Sequence, residues 1–319
     1  MPRLSVIIPI YKVEKYIEQC ARSLFEQTLD DLEYIFIDDC TPDYSIKILE
    51  RVLRDYPQRK AQVKILHNEQ NLGTSATRTR GMKLAAGDYI IHCDSDDWVD
   101  KDYYQTIVQK INETHAEIVI CDYIAEYTNK SKVVRYDDFS HPHDRIRMKR
   151  QLIWALWGTT VKRTLIEEYK IYPPKDINMT EDFNMLVRAC YYAKSIANVH
   201  KPMYHYRCDR SDSIVNTSKK SQKTLLEQRK SLQQIVDFLI EKNFDAGEGI
   251  LISKRNMRDF FLSINDYNNW KQTFPEVVDY VYNDASIPKI YRKLYKLGAE
   301  YWLLPFKIYR LISTFKKSK

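Results

Sequence analysis

An α/β domain with a mostly parallel sheet flanked by helices, followed by a helical C-terminal region, is the fold class this sequence predicts. Short apolar runs rich in β-branched residues alternate with helical periodicity over residues 1–123, the pattern of strand–helix–strand units with right-handed crossovers. The runs are apolar on both faces, as strands buried between helical layers must be. Past residue 216 the alternation stops, and Leu225, Leu226, Leu232, Val236, Leu239 and Ile240 recur at helical spacing instead. The expected boundaries are therefore a 1–215 domain, made of halves 1–123 and 124–215, and a 216–319 helical region.

Each element follows from its residues. Leu4-Ser5-Val6-Ile7-Ile8-Pro9-Ile10 is a central strand closed by Pro9. Val13, Tyr16, Ile17, Cys20, Ala21, Leu24 and Phe25 then share a helical face. Leu32 to Ile37 is the second strand and runs into Asp38-Asp39-Cys40-Thr41-Pro42-Asp43, turn residues suited to cap a helix bearing Ile46, Leu49, Val52 and Leu53. Val63 to Leu66 is the third strand, Asn71 to Ala86 a loop and helix, and Asp88 to Cys93 the fourth strand. Tyr103, Tyr104, Ile107, Val108 and Ile111 form another helical stripe before a strand over 117–122. The pattern loosens over 124–180, which is expected to face substrate. A helix resumes at Glu181 with Thr180 as its N-cap, and 195–207 is extended.

The chain is organised around Ile90-Ile91-His92-Cys93-Asp94-Ser95-Asp96-Asp97-Trp98, an apolar run ending in acids. A buried strand delivers such acids to the sheet rim, where open α/β folds place ligands. Period-two geometry sends Asp94 and Asp96 to one side and Ser95 away, so two hard oxygen ligands can converge on Mg²⁺ or Mn²⁺. A solvated acidic turn is the bland alternative.

Composition narrows the classes. With 50 Lys+Arg against 43 Asp+Glu the net charge is +7, which suits an anionic substrate or membrane surface and does not single out nucleic acid. Nucleic acid is not an expected partner. The six cysteines include no C-x-x-C pair and sit mostly in apolar segments, so reduced thiols and a cytoplasmic setting are expected. The first strand begins at Leu4, with no room before it for a signal peptide. No run reaches the ~18 apolar residues of a membrane span.

Four features fall in order: Val6-Ile7-Ile8-Pro9-Ile10-Tyr11, the strand-end pair Asp38-Asp39, Asn71-Leu72-Gly73 through Thr77-Arg78-Thr79-Arg80-Gly81, and Asp94-Ser95-Asp96-Asp97. Together they closely resemble the nucleotide-binding half of family 2 glycosyltransferases, inverting enzymes of the Rossmann-like GT-A fold, and the resemblance runs over about residues 3–215. It implies a nucleotide-sugar slot at Pro9, Tyr11 and Glu14, a base acceptor at Asp39, close backbone approach at Gly73 and a guanidinium at Arg78. The family usually reads Ala-Arg-Asn where this chain has Thr77-Arg78-Thr79.

Asp94-Ser95-Asp96 looks like the family's D-x-D motif. That resemblance places Asp94 and Ser95 on the nucleotide sugar, Asp96 with Asp94 on the metal, and Asp97 behind them as an orienting group. Thr180-Glu181-Asp182 resembles the family's Glu-Asp pair, whose aspartate is the usual base, so Asp182 is the candidate base beside Glu181. Acids in a helix's first turn also favour the macrodipole without any chemistry. His205-Tyr206-Arg207 with Ser211-Asp212-Ser213-Ile214 resembles an element closing over the diphosphate, with Arg207 on phosphate and His205 on metal or phosphate. Trp154 and Trp157 sit where the family's acceptor pocket begins, and core packing explains tryptophans equally well.

The resemblance implies a metal-dependent transfer from a UDP-type donor to a glycan or lipid-linked hydroxyl, in assembly of a bacterial surface polysaccharide. A sugar-phosphate nucleotidyltransferase and a non-catalytic membrane-associated scaffold are the alternatives, though Ile10-Tyr11-Lys12-Val13-Glu14 lacks the former's Gly-rich signature. The tail from Tyr291 interleaves aromatic, aliphatic and basic residues. It suits an anionic membrane surface, packing on the domain, or a second copy in a homo-oligomer.

Overall fold

Leu4, Val6, Ile7, Ile8 and Ile10 are all fully buried, so the first strand is covered on both faces, as its unbroken apolar run requires. The computed structural model describes residues 3–148, 154–209 and 221–317, with side chains through 310. It divides into two compact units, residues 1–146 with 152–216 and residues 147–151 with 217–319. The expected 215/216 boundary and the Ser211–Ile214 element lie outside the described residues.

The first unit carries, in chain order, β1 (Leu4–Ile10), α1 (Ile17–Phe25), β2 (Leu32–Asp38), α2 (Ser45–Arg54), β3 (Val63–His67), α3 (Thr74–Leu84), β4 (Tyr89–His92), β5 (Trp98–Val99) and α4 (Tyr103–Thr114). It continues through β6 (Ile118–Tyr127), β7 (Lys130–Val134), α5 (Pro142–Arg147), β8 (Thr159–Lys162), α6 (Arg163–Glu168), α7 (Glu181–Tyr192) and β9 (Ile196–Arg207). The strands form one sheet in the order β3-β2-β1-β4-β8-β6-β9-β5, with β7 paired to β6.

β3, β2, β1 and β4 are mutually parallel, as the alternating pattern predicts. The other half is mixed. β8 inserts antiparallel between β4 and β6, and β6 then pairs parallel with β9. Its four residues are too short to show a period, which is why the segment after 124 reads as loosely patterned.

Helix stripes bury as their spacing predicts: Ile17, Cys20, Ala21, Leu24 and Phe25 on α1, and Tyr103, Tyr104, Ile107, Val108 and Ile111 on α4. α3 lies close on the sheet at Gly81, where an added Cβ would stand 2.7 Å from Ile7 Cγ2 and 2.8 Å from Ile37 Cδ1. α7 begins at Glu181 as expected, but Thr180 does not cap it. Thr180 is left-handed, φ 66°, and its hydroxyl donates to Met179 O.

The second unit is helical among its described residues: α8 (Gln222–Glu241), α9 (Gly247–Ser263), α10 (Tyr267–Gln272), α11 (Val277–Asn283), α12 (Lys289–Glu300) and α13 (Leu303–Lys317). Its core centres on Trp270, stacked 5.1 Å from Phe306 and edge-on 5.1 Å from Tyr295, with the Arg258 guanidinium 4.7 Å over its ring.

Candidate active site

The C-terminal ends of β1, β2 and β4 lie side by side. Ile10 is in register with Asp38, and Ile7 with His92. The Asp39 N–H donates to Ile10 O and the Cys93 N–H to Ile7 O, both at 3.0 Å. All three strands therefore release the chain at one edge, where open α/β sheets hold ligands.

The acids after β4 turn at that edge, with Asp97 N–H donating to Asp94 O at 3.0 Å. Asp94 and Asp96 are half-buried while Ser95 and Asp97 are buried. Ser95 is thus covered, unlike the acids on either side of it. Asp97 accepts from Tyr204 Oη at 2.7 Å and from the Arg207 N–H at 2.8 Å. Burial, then Asp96 and Asp94, raise its pKa well above the usual carboxylate range. Tyr204 also accepts from the Asp94 N–H at 3.2 Å, so one buried hydroxyl fixes both ends of the turn. Sequence reasoning missed Tyr204, whose only signal is its place in β9 beside the motif Arg207.

Arg78 ties this turn to α7. Its Nη2 donates to Asp94 Oδ1 at 2.6 Å and its Nη1 to Glu181 Oε1 at 2.8 Å, with the side chain 7% exposed. The fork expected to face a nucleotide is committed to two carboxylates instead. Burial opposes the guanidinium's charge, but Asp94, Glu181 and Asp182 outweigh it and hold its pKa above the ordinary value. One cation facing three acids in a dry site leaves excess negative charge, so the acids' affinity for protons rises. Burial first, and Asp182 next among the raising influences, push Glu181 up to about 8 against the pull of Arg78. Burial, aided by Asp94, pushes Asp182 up to about 6. Glu181 is buried on Arg78, whereas Asp182 is half-buried and accepts only a local bond, from the Phe183 N–H at 2.9 Å.

The expected nucleotide slot shares this edge. Pro9 is half-buried and Tyr11 and Glu14 are exposed. Glu14 accepts from the Tyr44 N–H at 3.2 Å. Asp39 is buried and accepts from Asn68 Nδ2 and the Leu72 N–H at 2.8 Å and from the Gly73 N–H at 3.0 Å. Those three bonds leave one of its roughly four lone-pair directions for another donor. Gly73 has φ 82°, and an added Cβ would stand 2.5 Å from Asn178 Oδ1. The close approach this glycine permits is by Asn178, a residue no sequence signal marked. Lys12, Cys40 and Thr180 are also left-handed, at φ 54°, 56° and 66°, and such backbone clusters where side chains must be aimed.

His205 is held by protein groups. Its Nδ1 lies 2.8 Å from Glu126 Oε1, its Nε2 lies 3.3 Å from Asp100 Oδ1, and its ring stacks on Trp98 at 4.9 Å. Both ring nitrogens are thereby taken. Arg207 sits at the motif, donating from Nε to Asp96 O at 2.9 Å and from Nη2 to Gln19 Oε1 at 2.7 Å, over the rings of Trp98 and Tyr16.

The tryptophans divide. Trp154 is half-buried, 5.3 Å from Phe183 and 4.3 Å under Arg145, so it stands against the first turn of α7. Trp157 is 5% exposed and stacks on Tyr204 at 4.4 Å and Tyr206 at 5.3 Å, the core packing that its sequence also allows. Trp157→Ala is expected to cost about 3–5 kcal/mol in urea unfolding. A change below about 1 kcal/mol would return it to the pocket.

Among the described residues no group of three or more His, Cys, Asp or Glu is placed to hold a metal ion. Asp94 and Asp96 offer two carboxylates at the rim. That set fits an ion of the Mg²⁺ type, which is commonly held by one or two carboxylates while substrate phosphates and water complete its shell.

Residues 5–170 match the model of glycosyl transferase family 2. The chain belongs to that family. This glycosyltransferase is 30% identical over 285 residues to the putative glycosyltransferase EpsH of Bacillus subtilis, covering 85% of the chain and 78% of that protein. It is 26% identical over 223 residues to the poly(ribitol-phosphate) beta-N-acetylglucosaminyltransferase TarS of Staphylococcus aureus, covering 68% of the chain but 38% of that protein. The solved structure of S. aureus TarS 1–349 in complex with UDP is similar at a TM-score of 0.69 and 18% identity, over 98% of this chain and 92% of that one. The mannosyltransferase PcManGT of Pyrobaculum calidifontis, solved with GDP-Man and Mn²⁺, gives a TM-score of 0.51 at 16% identity, over 98% and 83%. At such identities the likeness is one of fold, here GT-A. The nucleotidyltransferase and scaffold alternatives fall with the family.

Proposed function

We propose that this glycosyltransferase moves a sugar from a nucleoside diphosphate donor, UDP-linked, to a hydroxyl of a glycan or lipid-linked saccharide, with inversion at the transferred carbon. The observation that carries the reading is the Arg78 bridge from Asp94 to Glu181, which joins the donor-side acids to the helix bearing Asp182. The neighbours solved with UDP and with GDP-Man and Mn²⁺ support a nucleotide donor and a divalent ion. The setting this implies is surface-polysaccharide assembly at the cytoplasmic face of a membrane.

In this reading Pro9, Tyr11, Glu14 and Asp39 take the nucleoside, Arg207 faces the diphosphate, and Trp154 borders the acceptor. Asp94 and Asp96 would hold Mg²⁺ or Mn²⁺, which when bound stabilises charge developing on the departing diphosphate. Asp182 takes the proton of the acceptor hydroxyl as the new bond forms. A single base opposite the leaving group gives one displacement and therefore inversion.

The test is donor turnover over a panel of nucleotide sugars with Mn²⁺, for wild type and Asp96→Ala. UDP release that needs Mn²⁺ and is lost in the variant supports the proposal; release of another nucleoside diphosphate, or turnover unchanged by Asp96→Ala, overturns the donor or the metal assignment respectively. A pH profile adds a second check. Because burial raises the Asp182 pKa to about 6, the base keeps its proton up to higher pH than an exposed aspartate. Transfer should therefore fall about tenfold per unit as pH drops below that value. A rate still flat to the ordinary carboxylate range would exclude Asp182.

A further inference from the structure

We propose that the outer face of α13, with the turn before it, is a docking surface for an anionic lipid bilayer. The helix has two apolar sides. Phe306 is fully buried against Trp270, Tyr291 and Tyr295, at ring separations of 5.1, 5.7 and 5.7 Å. That contact satisfies the inward side, so packing within the unit accounts for half of the helix. Leu304 and Ile308, one turn apart and set on the opposite side from Phe306, are 50% and 49% exposed. Tyr301 and Trp302, in the turn from α12, are 76% and 61% exposed.

Isolated exposed apolar residues are ordinary, but four large ones gathered at one helix start are the mark of an interaction surface. Their chemistry selects the occupant. Trp and Tyr carry an apolar body with a polar edge, which suits the headgroup boundary of a bilayer. From Lys289 to Arg310 the chain has six basic residues and one acidic residue, and Lys289 and Lys293 are exposed. Arg292, Lys296, Lys307 and Arg310 are engaged by Tyr282 O, Asp279, the Tyr267 ring and Leu262 O, which leaves Lys289 and Lys293, on the helix packed against α13, as the exposed cations that would complement anionic headgroups. No helix among the described residues is long and apolar enough to cross a membrane, so α13 lies along the surface.

This deepens the reading above, which sets the lipid-linked acceptor at a membrane, and it rests on that reading. The full chain is mixed with vesicles of phosphatidylglycerol and phosphatidylcholine, or of phosphatidylcholine alone, and floated. Wild type should float with the anionic vesicles and dissociate as salt is raised. The triple variant Trp302→Ser, Leu304→Ser, Ile308→Ser should lose on the order of 100-fold in affinity, at roughly tenfold or less per large apolar side chain, while UDP binding by calorimetry stays unchanged. Lys289→Gln with Lys293→Gln should weaken flotation and flatten its salt dependence. No flotation of wild type, or equal flotation of the triple variant, overturns the proposal. So does a mass in solution that rises with concentration and is lost in the triple variant, since the face then joins two copies. Donor turnover without flotation defeats only this surface, and flotation without turnover only the function proposed above.

Discussion

Asp182→Asn is expected to lower transfer by about 10²–10⁴-fold while leaving donor affinity within a factor of about two. The amide keeps the size and hydrogen-bonding shape of the carboxylate but cannot take a proton. Among the described residues the carboxylate accepts from the neighbouring Phe183 N–H, so the substitution leaves the Arg78 bridge in place and the fold should hold. Single-turnover transfer with calorimetric UDP binding checks both parts. Turnover within about tenfold of wild type would remove Asp182 from the reaction.

Glu181 is the control. It precedes Asp182 on the same helix and is also pushed toward its protonated form, chiefly by burial. Its carboxylate, however, is spent on Arg78 at 2.8 Å. In the proposed reaction the acceptor hydroxyl meets the half-buried neighbour. Two adjacent acids thus have different surroundings, one paired with Arg78 and the other, in the proposed reaction, taking the proton.

Much of this was legible because the signals are local. Strands apolar on both faces, the α4 stripe from Tyr103 to Ile111 and the start of α7 each depend on neighbours in sequence. What failed depended on distance. Arg78 meets a carboxylate 16 residues away and another 103 residues away, and no spacing rule links them. The sequence leaves His205 between a site role and a structural one, and only β9 shows it between Glu126 and Asp100. Trp157 reads equally as sugar platform or core, and only the stacking of Tyr204 and Tyr206 on it distinguishes the two. Thr180 has the side chain of an N-cap but not the backbone, since its left-handed φ turns the hydroxyl to Met179 O.

Arg78 gives the second large effect, and it separates two roles for the same side chain. If the guanidinium serves as a bridge, Arg78→Leu leaves Asp94 and Glu181 without their cation, and breaking such a buried pair from one side costs about 3–5 kcal/mol. Arg78→Lys should recover only part of that loss, because a point charge cannot span two carboxylates as a planar fork does. Adding Glu181→Leu to Arg78→Leu should restore some stability, since the orphaned acid is then gone and the two losses are not additive. Urea unfolding of the four proteins reads this directly. If the residue instead serves the nucleotide, as the sequence resemblance implies, Arg78→Leu would weaken UDP binding with stability changed by less than about 1 kcal/mol. The 7% exposure of the side chain and its 2.6 and 2.8 Å bonds favour the bridge: a guanidinium already paired on both terminal nitrogens would have to leave buried Glu181 and half-buried Asp94 to reach a ligand.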